Sequence, residues 1–302
     1  MPLYFKIIIF SLVFSLTGCS DELVFKTDKD ANKLVAAIYL EVGKPASAVV
    51  MQTESITNDS NSVTIKNAFV YLFKNGVNIE TETTNNLGQT DFDYIVQPGD
   101  SLKVEVIKEG FDKLRGSSSI PETTSILQFD TTSTRANSLG LIVSFVDKAQ
   151  RSDFYKIKLV GSRYSYKIDP VSGQILDSVL IQESIPMKSV NRIFFSDNNI
   201  VTNRQDFELM NDLIFNGQNF NLNVDVDWFL LQKKYNKSEV KELEISLSHI
   251  SPEYYDFLTT LSLNRPIYGG PFSIASQVTS SFDNGYGIIV ASNTSKAIIT
   301  LR

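Results

Sequence analysis

The sequence predicts an all-β protein, in which a small N-terminal β-sandwich is followed by a larger antiparallel β-barrel or sandwich with one short helix. Three observations lead to this prediction. Apolar and polar residues alternate along much of the chain, turn residues recur about every ten positions, and one segment has the spacing of an amphipathic helix. The length of 302 residues is enough for two ordinary domains.

Residues 1–18 have the pattern of a targeting segment. Lys6 precedes an apolar stretch at positions 7–16. A membrane-spanning helix needs about 20 apolar residues, so this stretch predicts a secretory signal peptide instead. The last residue of this stretch and the three that follow it resemble a bacterial lipobox: Leu16, Thr17, Gly18 and Cys19. We therefore expect acyl chains on Cys19 to anchor the chain to a membrane. An ordinary signal followed by an incidental cysteine is the alternative.

Residues 19–33 predict a tether between the lipid and the first domain. Ser20-Asp21-Glu22 resemble the acidic surface-export signal of Bacteroidota lipoproteins. We expect a lipid-anchored protein of the outer membrane that is displayed at the cell surface, with the inner leaflet of that membrane as the alternative. Fully extended, the segment after the cysteine would reach roughly 45–50 Å, which lifts the first domain clear of the lipid headgroups.

Residues 34–120 predict the N-terminal sandwich. From Leu34 to Val42 every second residue is apolar, and residues 69–73 are apolar on both faces, as in a buried strand. Asn75-Gly76 is a hairpin turn signal. The order of strands and turns in this region resembles the carboxypeptidase-regulatory-like module, which implies an Ig-like or transthyretin-like β-sandwich.

Residues 121–137 are rich in Ser and Thr and predict a linker, so residues 138–302 form the second domain. Its strands alternate as those of the first domain do. Ser251 and Pro252 are N-cap and first-turn residues, and apolar residues then recur at helical spacing, which predicts a helix near 252–263.

Composition excludes several kinds of function. The chain has a net charge of −6 and no basic run, so we do not expect it to bind nucleic acid. One cysteine and one histidine exclude a disulfide framework, a thiolate cluster and a multi-histidine metal site. The oxygen-rich segments at 58–61 and 197–199 lack the spacing of a calcium-binding loop and are interpreted as turns. We expect no cofactor, no bound metal and no enzymatic activity.

Few side chains stand out as candidates for chemistry or binding. His249 lies in phase with core residues and is interpreted as a hydrogen-bonded histidine at the edge of the core. Asp225 and Asp227 share one strand face, which favours a solvated surface, although a hydrolase with a carboxylate pair remains an alternative. Trp228 and Tyr254 lie on apolar faces and are assigned to core packing. Two aromatic residues lie off those faces and are the candidates for contact with a peptide or glycan ligand: Tyr255 and Tyr268.

The order of motifs resembles a Bacteroidota lipoprotein family known only as domain of unknown function four-two-four-nine. The matching segments are LSLSHISPEYYDFLTTL and GGPFSIASQVTSSFDNGYGIIVA near the C-terminus, and VSFVDKAQRSDFYKIKL at 143–159. Gly270 and Ile289 depart from the family pattern. The resemblance carries no catalytic residues over to this chain. It implies an accessory role beside a TonB-dependent outer-membrane receptor, with a surface adhesion or structural protein as the main alternative.

Overall fold

The computed structural model describes residues 32–53, 63–134, 137–149, 151–190, 192–195, 206–227, 230–231, 240–263 and 278–301. The predicted signal peptide, the lipobox with Cys19 and nearly all of the tether lie outside these residues. So do Trp228, Tyr268 and the two oxygen-rich segments at 58–61 and 197–199.

The described residues are mainly β-strands, which confirms the all-β fold class. The helix, α1, is Pro252–Leu263, and the strands are β1 (Leu34–Glu41), β2 (Pro45–Gln52), β3 (Phe69–Lys74), β4 (Val77–Thr83), β5 (Gln89–Ile95), β6 (Ser101–Ile107), β7 (Leu114–Ser119), β8 (Ile126–Thr134), β9 (Ser138–Val146), β10 (Phe154–Ile168), β11 (Ile175–Ser184), β12 (Lys188–Ser189), β13 (Glu208–Asn211), β14 (Asn219–Asp227), β15 (Glu242–Ile250), β16 (Phe282–Asp283) and β17 (Tyr286–Thr300). Among these residues, no helix is both long and apolar enough to cross a bilayer.

Three sheets build the described part of the molecule. The spanning sheet has the order β11-β10-β15-β17-β1-β2-β5, with β13 also paired to β10. An N-terminal facing sheet has the order β16-β7-β6-β3-β4, and a C-terminal facing sheet has the order β12-β14-β9-β8. None of the three sheets closes on itself within the described residues. The C-terminal part is therefore a β-sandwich like the N-terminal part, and not a β-barrel.

Two hydrophobic cores lie between the spanning sheet and the two facing sheets. In the N-terminal core, β1 contributes Leu34 and Ile38, which are buried together with Leu72 of β3. In the C-terminal core, alternate residues of β10 and β15 are buried with apolar residues of β9 and β14. The residues that these two strands contribute are Tyr155, Ile157, Leu159, Leu243, Ile245 and Leu247.

The long strand β17 joins the two halves of the spanning sheet. Its first half pairs in parallel with β1, from Tyr286 to Ser292, and its second half pairs antiparallel with β15. Ile289 and Ala291 are therefore buried in the N-terminal core, while Ile299 on the same strand face packs against the C-terminal core. Residues near the C-terminus thus complete the N-terminal sandwich. The spanning sheet contains strands from both 34–120 and 138–302, so the predicted division of the chain does not coincide with a division between sheets.

Two further expectations need correction. The predicted linker over 121–137 is wrong in its second half, because Ile126–Thr134 forms β8 and pairs with β9. Segment 69–73 is not buried on both faces, since Phe69 at the start of β3 is 50% exposed while Val70 and Leu72 are buried. Buried and more exposed side chains alternate along the first part of β3. Its aromatic residues therefore lie on the outer face of the N-terminal facing sheet.

The helix α1 has the predicted bounds. The side-chain oxygen of Ser251 accepts a hydrogen bond of 3.3 Å from the backbone N–H of Tyr254, as an N-cap does. Tyr254 and Leu258 are buried in a third, smaller apolar cluster with Leu209 and Ile288. The helix therefore covers the face of β17 that points away from the two sandwich cores, and the assignment of Tyr254 to core packing is confirmed.

Candidate functional site

Tyr255 is half-buried, unlike the exposed ligand contact that the sequence predicts. Its ring lies 4.6 Å from the ring of Phe154, measured between centroids. Burial raises the pKa of its hydroxyl, and a hydrogen bond with Asn211 opposes that shift. The side chain belongs to the packing between α1 and β10, so the expectation of a freely exposed Tyr255 is wrong. Its predicted partner, Tyr268, lies outside the described residues.

His249 has the role that the sequence predicts for it. The ring is buried at the edge of the C-terminal core. Its Nδ1 lies 3.0 Å from the carbonyl oxygen of Glu122, and its Nε2 lies 3.1 Å from Oδ1 of Asp153. A carbonyl oxygen only accepts, so Nδ1 carries the hydrogen of the first bond. Both ring nitrogens are engaged in the interior, which confirms a hydrogen-bonded histidine at the core edge.

Asp225 and Asp227 lie on the outer face of β14, opposite the buried residues Leu222, Val224 and Val226. They line a cleft of about 550 Å³ together with Met187 and Lys188. Among the described residues of this lining, no histidine and no third acid accompanies the two carboxylates. Their position fits the interpretation as a solvated strand face. The sequence does not predict the cleft that this face lines.

Three buried carboxylates form the one group of three or more acidic, histidine or cysteine side chains among the described residues that lie close enough together to hold a metal ion. We call it the acidic junction, and it consists of Asp147, Asp153 and Asp212. All three residues are buried, and one oxygen from each lies within 4.8 Å of the others. Carboxylate oxygens in such a group are ligands that hard cations prefer.

Strand ends bring the acidic junction together. Asp147 follows the last residue of β9, Asp153 precedes the first residue of β10, and Asp212 follows the last residue of β13. Antiparallel pairing sets Phe154 opposite Asn211, so the next pair outward is Asp153 and Asp212. The backbone N–H of Asp212 donates to the carbonyl oxygen of Asp153 at 3.1 Å, which extends the pairing by one step.

Donors surround most of these carboxylate oxygens. Asp147 accepts hydrogen bonds from the hydroxyl of Tyr155 and, at 2.8 Å, from the backbone N–H of Gly217. Burial raises the pKa of the Tyr155 hydroxyl, and the bond to Asp147 adds to this shift. Asp212 accepts a hydrogen bond from the side-chain amide of Asn216 at 2.8 Å.

Asp153 is held differently from the other two carboxylates. Its Oδ1 lies 2.7 Å from Nε of Arg151 as well as near His249. Its Oδ2 is buried and has no hydrogen-bond partner among the described residues. Burial, followed by the nearby charges of Asp147 and Asp153, raises the pKa of the Asp212 carboxyl. The junction thus concentrates negative charge in a buried place with one oxygen left unsatisfied.

The loops at the junction pack closely. Gly217 has a φ of 72°, and a Cβ there would lie 2.6 Å from Cβ of Ala149. A glycine is therefore needed for the 212–218 turn to approach the 147–149 turn. This approach brings the backbone N–H of Gly217 within reach of Asp147.

A protruding hairpin forms a second notable feature. The hairpin arm consists of residues 163–182, in which β10 continues beyond the end of β15 and pairs with β11 alone among the described strands. Val171 at its tip is 95% exposed. Large apolar side chains along the arm are exposed as well: Tyr164, Ile168, Ile175, Leu176, Val179 and Leu180.

Sequence reasoning missed both features. Asp147 and Asp153 lie within the segment at 143–159 that carries the family resemblance, so a signal was present, but their spacing of six residues matches no ligand motif. Asp212 has no local pattern and joins them only through strand pairing. The hairpin arm has the alternation of a normal strand pair, and alternation does not tell which face is covered.

Comparisons with known proteins identify the family but not the activity. No match was found among curated proteins. Among solved structures, the FN1-FN3 domains of chicken CNTN1 are 10% identical, with 90% of this chain and 64% of that chain covered and a TM-score of 0.25. A Salmonella alpha-2-macroglobulin mutant is 10% identical over 90% of this chain and 16% of that chain, with a TM-score of 0.22. The present chain thus spans less than two thirds of either protein. A family model matches residues 20–298, and the chain belongs to that family, the domain of unknown function DUF4249.

Proposed function

We propose that this protein is a non-enzymatic binding or accessory subunit of a TonB-dependent uptake system, anchored by lipid on Cys19 to the surface of the outer membrane of a Bacteroidota cell. Its N-terminal sandwich is proposed to be of the carboxypeptidase-regulatory-like type. The observation that supports a binding role best is the exposed apolar hairpin arm, which would contact the receptor.

The arm has the properties of an interaction surface. Tyr164 pairs with Leu180 across the two strands, and Tyr166 stacks beside Tyr164 with ring centroids 6.5 Å apart. Leu176 and Leu180 of β11 are 58% and 51% exposed. Contiguous exposed apolar surface of this kind marks sites of contact with other proteins or membranes.

The edges of the arm also favour binding to another protein. Beyond Ser162, β10 has no strand partner other than β11 among the described strands, and β11 is the last strand of the spanning sheet. Open strand edges present unpaired backbone N–H and C=O groups, to which a partner can add a strand. A receptor segment bound at the arm would satisfy these groups and cover the apolar side chains.

The position of His249 supports a non-enzymatic role. Both ring nitrogens make contacts inside the protein, to Glu122 and Asp153. The histidine is not part of the cleft that Asp225 and Asp227 line. A hydrolase using that carboxylate pair is the less favoured alternative.

Lipid anchoring would promote binding of this protein to the receptor. A lipid on Cys19 would confine the binding module to the plane of the membrane, where the receptor also lies. Confinement raises the effective concentration of one partner near the other, so a moderate intrinsic affinity suffices for a stable complex. The tether over 19–33 would set the distance between the lipid and the first sandwich.

Co-purification tests the proposal. The chain would be tagged at the C-terminus, outer membranes solubilised in mild detergent, and partners identified by mass spectrometry. We expect one TonB-dependent receptor in near-equal amount from the wild-type chain, and its loss with Cys19→Ala. Recovery of the lipidated protein without a receptor would overturn the uptake role and favour an adhesion or structural protein.

Variants of the arm test the docking surface separately. Replacing Leu176 and Leu180 together with Ser removes two apolar side chains, each worth about 1.5 kcal/mol on burial, so we expect receptor affinity to fall roughly 100-fold. Leu87→Ser is the matched control, because Leu87 is 64% exposed and lies in a turn away from the arm. Equal recovery of the receptor with both variants would contradict docking through the arm.

A further inference from the structure

The acidic junction needs more positive charge than its described neighbours supply. Three buried carboxylates lie together, and Nε of Arg151 and Nε2 of His249 both contact one of them, Asp153, so at most two positive charges face three carboxylates. Asp147 and Asp212 accept hydrogen bonds from neutral groups, namely Tyr155, Gly217 and Asn216. Burying several carboxylates without compensating charge is unfavourable, so a positively charged occupant is expected.

A second, independent observation shows that one oxygen of Asp153 lacks a partner in the described part of the chain. Oδ2 of Asp153 is buried and has no hydrogen-bond partner among the described residues, and Asp153 as a whole is 3% exposed. A buried carboxylate oxygen without a donor loses its hydration with nothing in exchange. A cation bound at the junction would satisfy this oxygen.

The spacing of the oxygens fits a calcium ion. Calcium binds oxygen ligands at about 2.3–2.6 Å, so two ligands on opposite sides of it are roughly 5 Å apart. One oxygen from each of Asp147, Asp153 and Asp212 lies within 4.8 Å of the others. Magnesium keeps several of its waters and is usually held by one or two carboxylates, and zinc favours nitrogen and sulfur ligands, so three buried carboxylates suit calcium better.

We propose that Asp147, Asp153 and Asp212 bind a calcium ion that cross-links the ends of β9, β10 and β13. His249 and Arg151 would orient Asp153 through its other oxygen, Oδ1, as outer residues do for metal-binding carboxylates. The ion would lock the 147–153 and 212–218 turns together, near the segment at 121–124 through which the chain passes from its N-terminal half to its C-terminal half.

A proton is the competing occupant. Protonation of Asp212, whose pKa is raised by burial and by its two acidic neighbours, would also reduce the negative charge. The two occupants predict different effects of Asp212→Asn. If calcium is bound, the substitution removes a ligand and weakens binding. If a proton is bound, the amide replaces a neutral acid and leaves the protein as stable as before, with no response to calcium.

Calcium titration of the full chain in detergent tests the proposal. After treatment with EGTA, calcium chloride would be added while heat release and thermal unfolding are recorded. We expect one ion per chain and an apparent Tm that rises by roughly 5 °C at a calcium concentration about 100 times the Kd. Terbium added in place of calcium should luminesce on excitation of tyrosine, because the hydroxyl of Tyr155 is hydrogen-bonded to Asp147.

The variants and the unsubstituted chain both permit refutation. Asp212→Asn should weaken calcium binding at least about 10-fold, and the matched control Asp93→Asn, at an exposed position of β5, should leave it unchanged. Absence of binding to the unsubstituted chain at about 10 mM calcium, above the usual range of extracellular sites, overturns the proposal even if a variant does not fold. An equal response to magnesium, or equal binding by Asp212→Asn, overturns it as well.

Discussion

Replacement of Gly287 by Ala tests the parallel pairing that joins the two halves of the molecule. Gly287 lies opposite Ala36 in the β1–β17 register and has a φ of 135°. A Cβ at this position would overlap the carbonyl oxygen of Ala36 and lie 2.8 Å from its carbonyl carbon and nitrogen. Contacts between carbon and a carbonyl oxygen are normally about 3.3 Å or longer, so β1 would have to move away from β17 by roughly 1–1.5 Å.

The size of the effect follows from two contributions. A non-glycine residue at positive φ costs about 1–2 kcal/mol, and separating the strands weakens at least two ladder hydrogen bonds at about 1 kcal/mol each. We therefore expect Gly287→Ala to lower the free energy of unfolding by about 3–4 kcal/mol. Urea denaturation followed by circular dichroism measures this change.

Gly43→Ala is the matched control for Gly287→Ala. Gly43 also has a positive φ, of 79°, but a Cβ there would meet no atom within 4 Å. It carries the cost of positive φ alone, so we expect a loss of about 1–2 kcal/mol. If the two variants lose the same stability, the close approach of β17 to β1 is refuted.

Three other substitutions test local features of the fold. Burial would raise the pKa of the Asp100 carboxyl, but hydrogen bonds from Lys74 and Tyr94 outweigh it and lower that pKa below its ordinary value of 3.8. Asp100→Asn should therefore lower the free energy of unfolding at neutral pH. This loss should vanish as the pH falls through the pKa of Asp100 in the folded protein, because the wild-type carboxyl is then protonated too. Urea denaturation midpoints of both proteins at about pH 7 and about pH 2 test this expectation. Ser251→Ala removes the N-cap of α1 and should cost about 1 kcal/mol in urea denaturation. Phe145→Ala empties the centre of an aromatic cluster with Tyr155, Phe215 and Phe220 and should cost about 3–5 kcal/mol by the same assay.

Each of these substitutions has an outcome that contradicts its argument. For Asp100, a deficit that persists at low pH would mean that the ionised carboxylate is not what stabilises the fold, and Asp93→Asn serves as the exposed control. For Ser251, unchanged stability would exclude the cap contact to Tyr254. For Phe145, a loss below about 1 kcal/mol would mean that the site is not closely packed.

Local features of the fold could be predicted from the sequence. Alternation in β1 predicts the burial of Leu34 and Ile38, and cap and spacing signals give α1 its bounds. These signals are local, since they depend on which face of one element is apolar. The pairing of β17 with β1 depends on residues far apart in the chain, and nothing in their alternation specifies a partner. The boundary between the two halves therefore could not be predicted.

The same distinction explains why the candidate sites were missed. His249 could be interpreted because it lies in phase with its own strand. Asp147, Asp153 and Asp212 lie just outside their strands, where periodicity ends, and each one alone has the pattern of a loop residue. Strand pairing and the close turn at Gly217 bring them together. A site made from three strand ends has no motif that one segment can show.

Side-chain donors explain how the chain passes between its two halves. The connection at 121–124 passes over the spanning sheet between the two facing sheets, and its backbone carbonyl oxygens need donors because Pro121 and Thr124 are buried. Asn293 donates to the carbonyl oxygen of Pro121 at 3.1 Å, His249 to that of Glu122 at 3.0 Å, and Ser295 to that of Thr124 at 2.7 Å. The single histidine of the chain therefore donates a hydrogen bond to the backbone of the connection and also contacts Asp153. His249 thus links the connection at 121–124 to the acidic junction. Strand pairing through β15 and β17 also joins β10, which carries the arm, to β1 in the N-terminal half, the half that follows the predicted tether in the sequence.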